Sequence, residues 1–213
     1  MKNLFLALFV AFAFVACDNE KEVTEVSTEN STSTEEDTDM TASAEMDEQY
    51  VWWKGSKVLG AGEHTGKAML SDVDLQTEDG KLVGGTVTVD LTSMSSEDLE
   101  GKKADDLLGH LASEDFFEIE TYPTATFKIT NVEHPAAGSD EMHQVTGDLT
   151  VKDVTKEITI PAKIDVDENG DVDFESAFTI DRSEYNVKYG SMTLGNVAKD
   201  KAIKDEVELK VVL

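Results

Sequence analysis

Residues 158–166 read Ile-Thr-Ile-Pro-Ala-Lys-Ile-Asp-Val, and every second side chain in this stretch is apolar. Because successive side chains of a β-strand point to opposite faces, a period of two predicts a strand with one buried face and one wet face. The alternation also occurs near residues 82–91, 145–151, 172–181 and 203–213, and further strands are counted near residues 51–59, 67–76 and 124–132. The pattern therefore predicts about eight strands.

Two dipeptides separate neighbouring strands. Asp79-Gly80 precedes the stretch at 82–91, and Asn169-Gly170 precedes the stretch at 172–181. Both dipeptides favour tight hairpin turns whose central residues need positive φ, so the strands that they join are antiparallel. With few helices to cover them, the apolar faces of such strands are buried in a β-sandwich or a closed barrel.

One segment departs from the period of two. Ala104, Leu107, Leu108 and Leu111 follow helical spacing, which predicts a short amphipathic helix over residues 97–112. The polar run that starts at Ser113 ends this helix. A single helix in an otherwise β chain is well placed to cap one end of a barrel.

The N-terminal residues are typical of a bacterial export signal. Lys2 supplies a positive charge, an apolar run extends from Leu4 to Ala16, and Cys17 follows. The run is shorter than the roughly 20 residues of a membrane-spanning helix. Residues 14–17, Phe-Val-Ala-Cys, resemble the bacterial lipobox, and Cys17 is the only cysteine, so it has no disulfide partner in the chain. We expect residues 1–16 to be a lipoprotein signal peptide and Cys17 to carry the lipid.

Residues 17–49 have a different composition from the rest of the chain. After Cys17 they hold 12 acidic residues, one lysine and no aromatic residue, so we expect a disordered acidic tether. Residues 50–213 form one domain, with 33 acidic residues against 16 lysines and arginines. Nucleic acid and anionic lipid headgroups both require basic surface, so we expect neither as a partner. Contact with a membrane is expected only through the lipid anchor, in the cell envelope; the membrane (inner or outer) and the face (periplasmic or surface) are left open.

Several motifs of the domain occur together. Residues 110–118 read His-Leu-Ala-Ser-Glu-Asp-Phe-Phe-Glu, and residues 122–127 read Tyr-Pro-Thr-Ala-Thr-Phe. The strand that contains Trp53 and residues 64–66 are two further motifs near the start of the domain. Three more motifs occur later in the chain, at residues 147–151, 154–156 and 182–186. In this order and spacing the motifs resemble the YceI-like family over residues 50–213. Asp153 stands where that family commonly has Gly, and Tyr185-Asn186 stands where Phe-Gly is usual.

The resemblance implies an all-β fold, an eight-stranded antiparallel lipocalin-like β-barrel with one short capping helix. It also implies that the barrel holds a long apolar molecule, such as a polyisoprenoid, an isoprenoid quinone or a fatty amide, with no cofactor. Eight strands enclose just enough space for one small ligand. The predicted ligand-binding residues are Trp53, Val89, Phe116, Phe117, Tyr122, Phe127, Leu149, Ile160, Phe174, Phe178, Arg182 and Tyr185. The alternative for the aromatic residues is that they fill the core.

Arg182 has two interpretations. It ends a predicted strand, where it meets the polar head of a ligand or pairs with an acid such as Asp115 or Glu184 as a structural latch. With so many acids in the chain, the latch is at least as well supported as the ligand contact.

Metal binding and catalysis have little support in the sequence. Residues 165–171 spell most of a calcium loop, but Ser176 occupies the position of the bidentate Glu. The histidines show no metal-binding spacing; they are His64, His110, His134 and His143. No motif of a hydrolase, metalloprotease or phosphate-binding enzyme occurs. We therefore predict a protein without metal or catalytic residues.

The sequence favours a binding protein over an enzyme, and two other functions stay open. One is an envelope stress or scaffold protein whose barrel is filled by side chains and which acts through its surface. The other is an enzyme that acts on a quinone-like ligand through a histidine or Arg182 at the barrel mouth. Formation of a homodimer is also left open.

Overall fold

The computed structural model describes residues 49–60, 62–136, 138–195 and 197–213. The predicted signal peptide, Cys17 and residues 18–48 of the predicted tether lie outside the described residues. Every described residue belongs to one compact unit, Ala44–Leu213. Its elements are β1 Tyr50–Ser56, β2 Glu63–Glu78, β3 Lys81–Asp90, a 3₁₀ turn Leu91–Ser93, β4 Ser95–Ser96, α1 Lys102–Ala112, β5 Thr124–Glu133, β6 His143–Val151, β7 Val154–Val166, β8 Val172–Asp181, a 3₁₀ turn Arg182–Tyr185 and β9 Glu206–Val212.

The sheet closes on itself. Strands run in the order β1-β9-β8-β7-β6-β5-β3-β2, and β1 pairs with β2 as well as with β9. All of these pairings are antiparallel, as the sequence predicted, and β4 adds a two-residue pairing to β2. The fold is therefore the predicted eight-stranded antiparallel barrel. Because every strand and the closure lie within residues 50–212, we infer that the unit 44–213 folds on its own.

The hairpin turns agree with the sequence at one site and differ at the other. Asp79 and Gly80 both have positive φ, 51° and 70°, as a tight two-residue turn requires. At the second site only Gly170 has positive φ, 91°, and the loop is longer. The prediction of a tight turn at Asn169-Gly170 was wrong because the Asp167 carboxylate accepts hydrogen bonds from the backbone N–H groups of Asn169 and Asp171, at 2.8 and 2.9 Å. These bonds stabilise a wider loop.

The helix α1 begins later than predicted. The spacing favoured a start at residue 97, but Glu97 donates its backbone N–H to Thr65 O, and Asp98 accepts from Thr65 N–H at 2.9 Å. The segment therefore continues alongside β2, and Gly101, with φ 54°, turns the chain into the helix. The end of the helix at Ala112 is as predicted. None of the helices within the described ranges has the length and apolar character needed to cross a bilayer.

The barrel has two different ends. The helix-covered end consists of the β1–β2 loop, the segment 91–123 with α1, the β6–β7 turn and the segment 182–205 between β8 and β9. Leu111 of α1 packs there with Phe116 and Val187 in one buried cluster, so the helix caps this end as expected. The opposite end consists of the remaining turns and the residues that flank the barrel, Gln49 and Leu213.

Candidate functional site

The barrel encloses an apolar cavity of about 210 Å³. Its wall is formed by the inward faces of the strands, and the helix-covered end closes it with Met94, Leu111, Phe116 and Val187. Among the described residues, no polar atom is exposed on this wall. The barrel is therefore not completely filled by its own side chains, and the space inside it suits only apolar groups.

Eleven of the twelve predicted ligand-binding residues line this cavity. They are Trp53, Val89, Phe116, Phe117, Phe127, Leu149, Ile160, Phe174, Phe178, Arg182 and Tyr185. Their position is now known, whereas their contact with a ligand stays a prediction.

Tyr122 does not line the cavity. It lies just before β5, outside the barrel wall, and its ring is 6.0 Å from Lys152 Nζ. The charge of Asp153, partial burial and the charge of Glu118 raise the pKa of its hydroxyl. Its prediction as a cavity residue was wrong because it rested on a motif position, and Pro123 separates Tyr122 from the alternation of β5.

Other lining residues were not predicted. Most occupy alternating inward positions of the strands. The period of two predicts that such positions are buried, but it does not distinguish residues that line a cavity from residues that fill the core. They include Val51, Ala68, Val87, Ala125, Ile129, Ile158, Val207, Leu209 and Val211. Ile203 and Val187 belong instead to the irregular segment 182–205, where no periodicity points to the cavity.

Glycines on the inner face shape the aromatic wall. A Cβ atom on Gly147 would lie 2.6 Å from Phe127 Cζ, and one on Gly66 would lie 2.5 Å from Trp53 Cζ2. Both rings therefore lie against bare backbone instead of standing in the middle of the barrel. This arrangement lets large aromatic residues line the cavity without filling it.

Arg182 joins the segment 182–205 to the barrel. It is 4% exposed, and its Nε and Nη1 donate to the carbonyls of Lys204 and Val187, each at 3.0 Å. Nη2 donates to Ile203 O at 3.4 Å and lies 3.3 Å from Asp205 Oδ1, an ion pair that lacks hydrogen-bond geometry. Of the two interpretations, the geometry supports the structural latch.

The partner of this latch differs from those considered in the sequence. Asp115 contacts His110 and Glu184 contacts Lys156, so neither pairs with Arg182. Burial tends to raise the pKa of Asp205, but hydrogen bonds from Thr193 and Ser191 and the charge of Arg182 bring it below its ordinary value. With its donors directed at protein groups, Arg182 contributes its side-chain stem to the cavity wall.

Within the part of the chain that the structure describes, two polar atoms of lining residues have no hydrogen-bond partner. They are Trp53 Nε1 and the hydroxyl of Tyr185, a residue only 2% exposed. Burial, with the nearby Glu184 charge, raises the pKa of the Tyr185 hydroxyl, so it stays protonated. Neither atom is exposed to the cavity. The cavity wall therefore offers no hydrogen-bond partner to a polar group of a ligand.

The family model described as the YceI-like domain matches residues 25–213. The chain belongs to the YceI-like family. Protein YceI of Escherichia coli O157:H7 is 34% identical to it over 108 residues, which are 48% of this chain and 51% of that protein. The chain thus spans about half the length of the curated relatives it matches.

Solved structures of low sequence identity share the fold. BcnA of Burkholderia cenocepacia has a TM-score of 0.54 at 24% identity, over 77% of this chain and 94% of that one. A polyisoprenoid-binding domain from Saccharophagus degradans, described as implicated in plant cell wall breakdown, also has a TM-score of 0.54, at 18% identity over 77% of this chain and 91% of its own.

The positions that depart from the YceI-like pattern lie in turns. Asn186, where the family usually has Gly, adopts the left-handed conformation with φ 59° and ψ 21°. Asn tolerates this conformation better than most residues. In the β6–β7 turn, Lys152 and not Asp153 takes positive φ, 57°.

The histidines of this YceI-like chain lie outside the cavity wall. His64 contacts Asp98 at 2.7 Å, and His110 contacts Asp115 at 3.2 Å. His134 and His143 form a pair, with their Nδ1 atoms 3.0 Å apart. Among the described residues, no group of three or more His, Cys, Asp or Glu side chains is arranged to hold a metal ion.

Proposed function

We propose that this protein binds one long apolar molecule in its barrel and sequesters or carries it. The observation that carries this proposal is the cavity, whose exposed wall is entirely apolar. The structural neighbour from Saccharophagus degradans is described as polyisoprenoid-binding, which supports a polyisoprenoid, an isoprenoid quinone or a fatty amide as the ligand class. Any polar group of the ligand must stay outside, because the wall offers it no partner.

The size of the cavity limits how much of the ligand it holds. At about 210 Å³ the cavity exceeds the roughly 150 Å³ void that accepts benzene and is smaller than the roughly 300–1,000 Å³ pockets of drug-sized ligands. Each buried CH₂ group contributes about 0.8 kcal/mol, so about ten are needed for micromolar binding before ordering costs. A long ligand therefore extends beyond the cavity or moves the wall residues apart.

Binding is favoured over catalysis. The His64 and His110 rings contact surface carboxylates, and three N–H groups of Arg182 donate to backbone carbonyls. The described cavity wall therefore presents no free acid, base or nucleophile to a quinone-like ligand.

Native mass spectrometry of residues 44–213, exported behind a cleavable signal peptide and purified from a bacterial envelope, tests the binding function. We expect one apolar molecule per chain, released by organic solvent and regained when an isoprenoid quinone or polyprenol is offered. A barrel that is empty after native expression and takes up neither compound would contradict the proposal. That result would favour the scaffold alternative, in which the protein acts through its surface.

We further propose that Cys17 carries lipid and anchors the chain in the cell envelope. The support is the sequence alone: an export signal, a lipobox-like tetrapeptide and a cysteine with no possible partner in the chain. Metabolic labelling with a fatty-acid probe is expected to label the wild-type protein and not the Cys17→Ala variant. Equal labelling of the two proteins would disprove lipid attachment at this residue.

A further inference from the structure

Basic residues are concentrated at one part of the helix-covered end. The loop at residues 57–62 and the segment 186–204 together hold five lysines and one acid. The rest of the domain, residues 50–213, carries 32 acidic and 11 basic residues. The lysines are all exposed, and none forms an ion pair in the part of the chain that the structure describes; they are Lys57, Lys188, Lys199, Lys201 and Lys204.

Large apolar side chains are exposed within the same two segments. Leu59, Tyr189, Met192 and Leu194 are between 43% and 53% exposed. Only two other large apolar residues, Val83 and Met142, are comparably exposed among the described residues. Exposed apolar side chains rimmed by charge are typical of an interaction site. We call these four residues with the five lysines the basic apolar face.

Hydrogen bonds hold the two segments of this face together. Val58 N–H donates to Ala202 O at 2.9 Å, and Lys204 N–H donates to Ser56 O at 2.8 Å. Ile203 N–H in turn donates to Gly190 O at 2.9 Å. The face is thus one connected structure, and not two loops that happen to share a composition.

The acids that flank the face are already paired. Glu63 follows the 57–62 loop and contacts Lys54 at 3.4 Å, a lysine that it shares with Glu208, also at 3.4 Å. Asp205 follows the segment 186–204 and pairs with Arg182 at 3.3 Å. The lysines of the face therefore keep their positive charge available, although the domain as a whole is strongly acidic.

The same segment forms part of the cavity. Val187 and Ile203 line it from inside, while Lys188 and Lys204, their neighbours in sequence, point to solvent. Tyr189 packs edge-on against His110 of α1, with ring centroids 4.4 Å apart, and this contact joins the face to the capping helix. An apolar molecule that enters or leaves through the helix-covered end therefore passes beside the face.

We propose that the basic apolar face docks the barrel onto an anionic phospholipid bilayer. Lysines attract anionic headgroups, each by about fivefold in affinity, and the exposed Leu, Met and Tyr side chains enter the interface. Distant acids repel the bilayer little, because the Debye length is only about 8 Å at physiological ionic strength. The net negative charge of the domain led us to expect no binding to anionic lipid headgroups, because a net charge does not show that lysines are concentrated on one face. Docking at this face would place the cavity against the source of its ligand, a role that rests on the proposed function.

Flotation of residues 44–213 with lipid vesicles tests the proposal. We expect binding to vesicles that contain phosphatidylglycerol, weak binding to pure phosphatidylcholine, and loss of binding at high salt. The triple variant Lys188→Gln, Lys199→Gln, Lys201→Gln should bind on the order of 100-fold more weakly. Met192→Ser with Leu194→Ser should weaken binding roughly tenfold or more.

A charge-matched control separates the face from the net charge. Lys81→Gln, Lys128→Gln and Lys163→Gln remove three exposed lysines elsewhere and should leave vesicle binding unchanged. Equal losses in both triple variants, or no binding by the wild type, would overturn the proposal.

The acidic segment of the chain itself is the rival occupant of the face. Residues 18–213 should bind vesicles like residues 44–213; if the longer chain does not bind, the acidic segment occupies the face and the bilayer proposal fails. Native mass spectrometry of the same variants keeps the two proposals separate, because loss of docking should leave the ligand in the barrel.

Discussion

Replacing Arg182 by alanine is expected to lower the free energy of unfolding by about 3–5 kcal/mol, the usual effect of removing one partner of a buried ion pair. The guanidinium is 4% exposed and bonds the carbonyls of Val187, Ile203 and Lys204. Without it these acceptors and the Asp205 carboxylate lose their partner while they remain buried. Urea denaturation followed by tryptophan fluorescence measures the loss.

Lys156→Ala is the matched control. Lys156 pairs with Glu184 at 3.4 Å on the surface, so its removal should cost less than about 1 kcal/mol.

The pH dependence of the stability gives a second readout. Because the pKa of Asp205 is lowered in the folded protein, this carboxylate stabilises the fold at neutral pH, and that stability is lost as the pH falls through the folded-state pKa. In Arg182→Ala the acid transition should move to higher pH. A variant as stable as the control would show that Arg182 is not a latch.

Filling the cavity is expected to abolish ligand binding. Ala125 lies on the inner face of β5, lines the cavity and packs with Leu91, Val151 and Tyr185. A phenylalanine at this position would take up space that the ligand needs, and we expect affinity to fall by about 100-fold or more, as measured by native mass spectrometry or by displacement of a fluorescent fatty acid. Overpacking of a core typically costs about 1–3 kcal/mol, so the barrel should still fold.

Two further variants make this test decisive. Ala136→Phe adds the same ring on an exposed loop at the opposite end and should bind like the wild type. Phe178→Ala removes a lining ring and should accept a bulkier ligand, at a cost in stability below the roughly 3–5 kcal/mol of a fully buried phenylalanine because Phe178 is only partly buried. If Ala125→Phe binds as tightly as Ala136→Phe, the ligand does not occupy this cavity.

Local patterns predicted the barrel because they are set by local physics. The alternation at residues 158–166 reflects one buried and one wet face, and it appears in the structure as β7. The start of α1 could not be predicted in the same way, since Glu97 and Asp98 are committed to Thr65, more than thirty residues earlier. Helical spacing reports only contacts within a segment, and here a contact with β2 outweighs it.

The candidate site could likewise be predicted only where local patterns determine it. Inward positions such as Val89, Leu149 and Ile160 follow from the alternation, whereas the void between them depends on how whole side chains pack. The partners of Arg182 are mostly backbone carbonyls of an irregular segment, and carbonyls leave no signature in a sequence. The basic apolar face was hidden for a related reason, because its two segments lie more than a hundred residues apart and meet only in the fold.

The pairing of β1 with β9 has a consequence for biogenesis. The seam joins Tyr50 to Val212, so the barrel cannot close until almost the whole domain is available. Contacts this remote in sequence make folding slow, because the entropy of closing the chain is lost before the contacts form. A nascent chain with this topology remains open until β9 has been synthesised. If Cys17 carries lipid as proposed above, this delay keeps the chain in the unfolded state that export through a translocation channel requires.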